Sequence, residues 1–269
     1  MMNVQSTSSR RIYAACFSDR GKVRRNNEDN YLFHGEHMGA GSEGPAGILC
    51  TEYDLSQLSS GRDIFFAVFD GVGGAQYGDQ ASMIAASSAG HFLDTYEWAA
   101  DDPGAFLEEL YRNMNQAVLQ GREYLYASEM CTTAVSLLLH GNSVWCSNSG
   151  DSRCYMFKDD ELLQISTDHN NAQAFMALGI TGVKPMLTQY LGMDPAELEF
   201  APAHAEFPVE PGEVFLLCSD GLTDMVTEQH ISDILAETPD PELAVEALVT
   251  ASLESGGKDN ITVIVIRIE

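Results

Sequence analysis

Apolar residues recur along this chain in two alternating periods, and the switches between them mark out the elements. Ile12 to Ser18 reads as a strand and closes on an Asp19-Arg20-Gly21 turn; Asp29 to Phe33 is a second, short one. Residues 35–62 are rich in Gly, Ser and Glu without a period, which predicts a long loop or surface insertion. Ile64 to Phe69 is a nearly continuous apolar run, as in a strand covered on both faces, and Asp70-Gly71 ends it. The period then becomes helical. Ala81, Ile84, Ala85, Phe92, Leu93 and Tyr96 fall on one face, and after Pro103 so do Phe106, Leu110, Met114, Ala117 and Val118.

Four strands are predicted next, at Thr133 to Leu139, Val144 to Ser147, Arg153 to Phe157 and Leu162 to Ile165. Irregular sequence fills 170–200. Val214 to Cys218 is again a buried strand, and Thr227 caps a helix through Ala236. A helix over Ala244 to Leu253 and a strand over Ile261 to Ile268 complete the chain. Strands and helices come in blocks, not in strict alternation. The expected class is therefore α+β, with two mostly antiparallel sheets flanked by paired helices.

Charge narrows the partners. The 269 residues hold 14 Lys and Arg against 40 Asp and Glu, a formal net charge of −26, which disfavours nucleic acid and anionic membranes. The balance is uneven: Arg10, Arg11, Arg20, Lys22, Arg24 and Arg25 face only Asp19 in the first 25 residues. No apolar run reaches the ~18 residues of a membrane span, and the first nine residues lack the apolar core of a secretion signal. The six cysteines include no CxxC pair and sit mostly in strand-like surroundings, as reduced thiols do. A cytoplasmic, monomeric protein is expected.

Three aspartates share one arrangement, in which an apolar strand runs into Asp and a tight turn. They are Asp70 after Phe66-Ala67-Val68-Phe69, Asp220 after Phe215-Leu216-Leu217-Cys218-Ser219, and Asp259 entering the last strand. Asp-Gly is a common turn pair, so each alone says little. Carboxylates fixed at strand ends can nevertheless converge, and hard divalent cations take such oxygen ligands. Arg24-Arg25-Asn26-Asn27-Glu28-Asp29 and Gly150-Asp151-Ser152-Arg153 add an arginine, a carboxylate pair and another turn aspartate.

In order, these segments resemble the metal-dependent protein phosphatases of the PPM, or type 2C, family, and its compact bacterial members in particular. The matching runs are Gly21 to Asn30, Val68 to Gly74 with Ala81-Ser82, Thr132-Thr133-Ala134, Asn148 to Arg153 and Thr167-Asp168-His169. Leu187 to Gly192, Leu216 to Asp224 and Asp259 to Val263 follow, so the likeness spans nearly the whole chain. It implies one catalytic domain over 1–269 with a four-layer αββα sandwich, an insertion at about 35–62 and a shortened flap at about 170–187.

The resemblance further implies two Mg2+ or Mn2+ ions. Asp70 would bridge them, and the Gly71 carbonyl, Asp220 and Asp259 would complete the first. Glu28 and Asp29 would serve the second, directly or through water. Asp151 with Asp220 matches a third, weaker position. Arg24 matches the residue that grips the substrate phosphate. Two such ions can activate a water against a phosphomonoester and stabilise the charge that develops. The implied partners are phosphoserine and phosphothreonine proteins, with a Ser/Thr kinase opposing the enzyme. The rival expectation is a pseudophosphatase, a binding module that keeps the fold and loses turnover.

Some positions depart from the pattern. Val72 stands where many relatives have His or Met and cannot donate a proton, Cys131 replaces a glycine before Thr132, and His169 is read as structural. Gly39 to Gly44 fits GxGxxG but neither follows a clear strand nor opens a helix, and Asn260-Ile261-Thr262 is a sequon inside the proposed metal loop. The other histidines show no metal spacing.

Overall fold

The near-continuous apolar strands are explained by what covers them. A computed structural model describes residues 11–54, 63–72, 77–96, 102–180 and 182–269. The first ten residues, 55–62 of the expected loop, and Gly73 and Gly74 of the VFDGVGG run lie outside the described residues. The first half of the chain forms β1 (Arg11–Asp19), β2 (Asp29–Leu32), β3 (Leu49–Asp54), β4 (Ile64–Asp70), α1 (Gly78–Thr95) and α2 (Pro103–Tyr124). Then come β5 (Ala134–His140), β6 (Ser143–Ser149), β7 (Arg153–Lys158), β8 (Glu161–Gln164) and α3 (Ala172–Ala177). β9 (Ala203–Pro208), β10 (Val214–Cys218), α4 (Asp220–Thr223), α5 (Glu228–Glu237), α6 (Pro241–Glu254) and β11 (Ile261–Ile268) follow.

The strands make two sheets, in the orders β3-β1-β11-β10-β7-β8 and β2-β4-β5-β6-β9. Every pairing between them is antiparallel. Side chains alternate across each strand. Ile64, Phe66 and Val68 of β4 point between the sheets, where they meet Phe215, Leu217, Ile264 and Ile266. Phe65, Ala67 and Phe69 point the other way, onto Ala81, Ala85 and Ala89 of α1 and Phe106, Leu110 and Met114 of α2. β10 and β11 divide in the same manner, sending Leu216 and Val265 against Leu235 of α5 and Val245 and Leu248 of α6. Both sheets are thus covered twice, and the expected four-layer αββα sandwich is what forms.

Local signals set the helix starts. Asp102 caps α2 by accepting the Ala105 N–H at 3.0 Å with Pro103 in the first turn, and Thr227 caps α5 by accepting the His230 N–H at 3.3 Å. Asp240 and Pro241 repeat that start at α6, three residues before the predicted Ala244. Tyr111 fastens α2 to its sheet. Its buried hydroxyl donates to the Ser147 carbonyl at 2.6 Å and lies 3.0 Å from the Ser136 hydroxyl.

The structure departs from the sequence reading at the margins. β3 lies within the expected 35–62 loop, and β9 and α3 went unpredicted. β3 and β9 are edge strands, half-buried and paired on one side only, so neither carries a clean alternation. α3 has no buried residue and therefore no apolar face to read. All six cysteines are free. Tyr111→Phe is expected to destabilise the fold by roughly 1–2 kcal/mol, because the inter-strand carbonyl loses a buried donor; the midpoint of urea unfolding measures it.

Candidate active site

Neighbouring strands deliver the acidic residues to one end of the sandwich. Asp29 opens β2 and Asp70 ends β4, and the two are directly paired across the ladder, so their carboxylates share a face. Asp220 follows β10 and Asp259 precedes β11, its neighbour in the other sheet. The Asn260 side chain clamps these loops together. It accepts the Glu28 N–H at 2.8 Å and donates to the Arg20 and Asn26 carbonyls, each at 2.9 Å. Close backbone approach demands glycine here: a Cβ on Gly221 would strike the Asn260 carbonyl, and one on Gly71 the carbonyls of Gly78 and Glu28.

A cavity of about 540 Å3 opens at this end, and Arg24, Asp70, Asp151, Lys184, Asp220 and Asp259 stand in its wall. Burial raises the Asp70 carboxyl well above the usual range, and the charges of Asp29, Asp220 and Asp259 raise it further. Asp151 is pushed up to about 6, by burial first and then by Asp220. Two protein cations oppose this repulsion. Arg24 donates to Asp259 Oδ2 at 2.6 Å, and Lys184 donates to Asp220 Oδ2 at 3.0 Å. The bond to Asp259 raises the Arg24 pKa, so its charge is secure.

Glu28, Asp29 and Gly71 stand behind this wall and not in it. Asp29 is fully enclosed, and burial raises its carboxyl despite two good donors. Ser219 and Thr262 hydroxyls both reach its Oδ2 at 2.7 Å. Its Oδ1 is buried with no hydrogen-bond partner. Glu28 is half-buried against the Gly78 backbone, and its pKa rises for the same reason of burial. Among the described residues no three acidic, His or Cys side chains yet form a closed cage for an ion. An all-oxygen, strongly repelling donor set with one orphaned buried carboxylate oxygen nevertheless fits divalent cations such as Mg2+ and Mn2+.

The other expected positions are equally definite. Val72 lines the cavity and supplies no proton. The partly buried Cys131 thiol beside it is pushed up to about 11 by desolvation and stays protonated at neutral pH. His169 is held in the Gly150 turn: its ring Nδ1 accepts the Gly150 N–H at 3.3 Å, its backbone N–H donates to the Gly150 carbonyl, and burial lowers its pKa.

Sequence reasoning missed Lys184, Asn170, which donates to Asp151 Oδ2 at 3.3 Å, and Asp224, whose carboxyl is raised by burial and then by Asp220. A signal for Lys184 exists. It is the one Lys or Arg among 25 consecutive residues, His169 to Met193, that contain no Asp or Glu. Gly221→Ala is expected to destabilise the protein and to weaken Mn2+ binding roughly tenfold or more, because the Asp220 and Asp259 loops can no longer touch; calorimetric titration of the folded variant reads the affinity.

Comparison with known proteins agrees with this geometry. The Protein phosphatase 2C family profile matches residues 46–254. The Mycobacterium tuberculosis serine/threonine protein phosphatase PstP is 29% identical over 93% of this chain, which spans 44% of that relative's length. The Listeria innocua serine/threonine phosphatase stp is 27% identical over 95% of this chain and 96% of its own. Among solved structures, M. tuberculosis PstP/Ppp superposes with a TM-score of 0.76 at 28% identity, covering 96% of this chain and 99% of that one. The PstP catalytic domain in complex with two manganese ions gives a TM-score of 0.74 at 28% identity, covering 97% of this chain and 99% of that one. With the sandwich, the strand-end carboxylates and the profile match in agreement, this chain belongs to the protein phosphatase 2C family.

Proposed function

We propose that this chain hydrolyses phosphoserine and phosphothreonine monoesters on proteins, with two Mg2+ or Mn2+ ions. The observation that carries the reading is the shared cavity wall, in which the Arg24 guanidinium stands with Asp70, Asp220 and Asp259 and is bonded to Asp259. When bound, the ions would supply nucleophile activation and charge neutralisation. Asp70, Asp220, Asp259 and the Gly71 carbonyl would hold one of them, with Asp70 shared. Glu28 and Asp29 would hold the other, directly or through water, and the unpartnered Asp29 Oδ1 supports a role there.

Arg24 then has a definite task. Its guanidinium is spent on Asp259 here, and a cation on that carboxylate would free the fork for two phosphate oxygens. Holding the phosphate in line supplies orientation that the substrate would otherwise lose in solution. The hydroxyls of Ser219 and Thr262 keep Asp29 turned toward the site, a positioning role. Val72 can donate no proton, so the leaving serine or threonine oxygen would take its proton from water or from another residue of the site. A catalytically silent module could lose these carboxylates or Arg24, and none is lost.

The implied partners are phosphoproteins, and a kinase acting on the same residues would oppose this chain. Among the described residues no helix is long and apolar enough to cross a membrane. A cytoplasmic, monomeric enzyme with 1–269 acting as one catalytic unit fits this reading.

Hydrolysis of p-nitrophenyl phosphate and of a phosphothreonine peptide should depend on Mn2+ and stop with EDTA. Asp220→Asn should lower kcat/KM by about a hundredfold or more at fixed Mn2+, since even residues that merely orient metal ligands cost about 10–100-fold. Equal activity of variant and wild type, or none in either at saturating Mn2+, contradicts the proposal. Arg24→Ala should raise KM for the phosphopeptide while the fold, followed by circular dichroism, stays intact. An unchanged KM removes Arg24 from the phosphate site.

A further inference from the structure

Lys184 and Asn170 reach the acidic site from one segment, and the segment's base is pinned to it. The Asn171 N–H donates to the Met186 carbonyl at 3.1 Å, and the Asn171 side-chain oxygen accepts the Met186 N–H at 2.8 Å. The Thr188 N–H donates to the His169 carbonyl at 2.8 Å, and the His169 N–H donates to the Gly150 carbonyl at 3.0 Å, one residue from Asp151. Pro185 follows Lys184, and its ring confines Lys184 to extended backbone. From this base the Asn170 amide donates to Asp151 Oδ2 and the Lys184 ammonium to Asp220 Oδ2. Those are the two carboxylates that the family resemblance implies for a third ion, and each already holds a donor of this chain.

The position is unfavourable for a further divalent cation. An ion entering between Asp151 and Asp220 meets a tethered positive charge 3.0 Å from the second carboxylate and must displace it. A tethered group competes at an effective concentration on the order of millimolar, which a weakly bound ion does not readily exceed. Its own segment, His169 to Met193, contains no Asp or Glu, and the acids that act on the lysine, Asp220 first and then Asp70 and Asp259, belong to the site. The side chain is 65% exposed, so it can swing aside, and the exclusion is a competition and not a seal.

We propose that the Lys184 ammonium takes the place of a third divalent ion at the Asp151–Asp220 edge, leaving a two-ion centre. The count of two rests on the function proposed above; the replacement of the third ion rests on the Lys184 and Asn170 contacts. Equilibrium dialysis against Mn2+ up to about 1 mM, the range of weak oxygen-ligand sites, tests it without reference to turnover. Wild type should bind two Mn2+ per chain and Lys184→Met, a similar-sized side chain without charge, three. Lys184→Arg, which keeps the charge, should remain at two, and the pair Lys184→Met with Asp151→Asn should return to two. Thermal unfolding in EDTA verifies that each variant is folded, as expected for an exposed side chain. Three ions in wild type or in Lys184→Arg, or only two in Lys184→Met, overturn the replacement. Fewer than two in wild type overturns the two-ion reading itself, and this inference with it, before any variant is measured.

Discussion

Mutual repulsion among carboxylates gathered at one end of the sandwich is the constraint that organises this molecule. Asp29 and Asp70 face each other across one ladder, and Asp220 and Asp259 approach from the other sheet. Each is ordinarily costly to bury as an anion, and gathering them multiplies the cost. The fold bears it because the strands that carry them are packed on both faces, through Phe66 and Phe69 of β4 and Leu217 and Leu216 of β10, and cannot move apart to relieve it. Positive charge is what the arrangement lacks. Arg24 and Lys184 supply part of it, and the orphaned Asp29 oxygen marks where more is needed.

A rigid, over-negative pocket at the end of a sandwich suits phosphate chemistry. Divalent ions held by these carboxylates would restore neutrality and supply positive charge to a phosphate dianion. The same logic needs no nucleophilic side chain, and neither Ser219 nor Cys131 is placed as one. Ser219 is committed to Asp29, and Cys131 is held protonated by burial.

Much of this is legible in the sequence, for identifiable reasons. Central strands such as β4 and β10 announce themselves because burial on both faces forces an unbroken apolar run, and the Asp that ends each run is equally plain. Edge strands β3 and β9 are not legible, since one free edge and half-exposed faces leave the alternation open to polar residues. In the site, Asp70, Asp220, Asp259, Asp151 and Arg24 are brought to one cavity as their motifs lead one to expect. Lys184 escapes notice because it belongs to no periodic element and reaches Asp220 only through tertiary folding of its segment. The enclosure of Asp29 behind the wall is similarly invisible, since burial of a strand's first residue depends on the facing sheet.

The most direct test is thermal unfolding of the wild-type chain with and without Mn2+, at matched ionic strength. If clustered carboxylates await divalent charge, saturating Mn2+ should raise Tm by roughly 5–10 °C, as about 2.7 kcal/mol per site at a hundredfold excess over Kd requires, and EDTA should reverse it. A Tm that Mn2+ leaves unchanged, or that sodium chloride raises equally, would contradict the account.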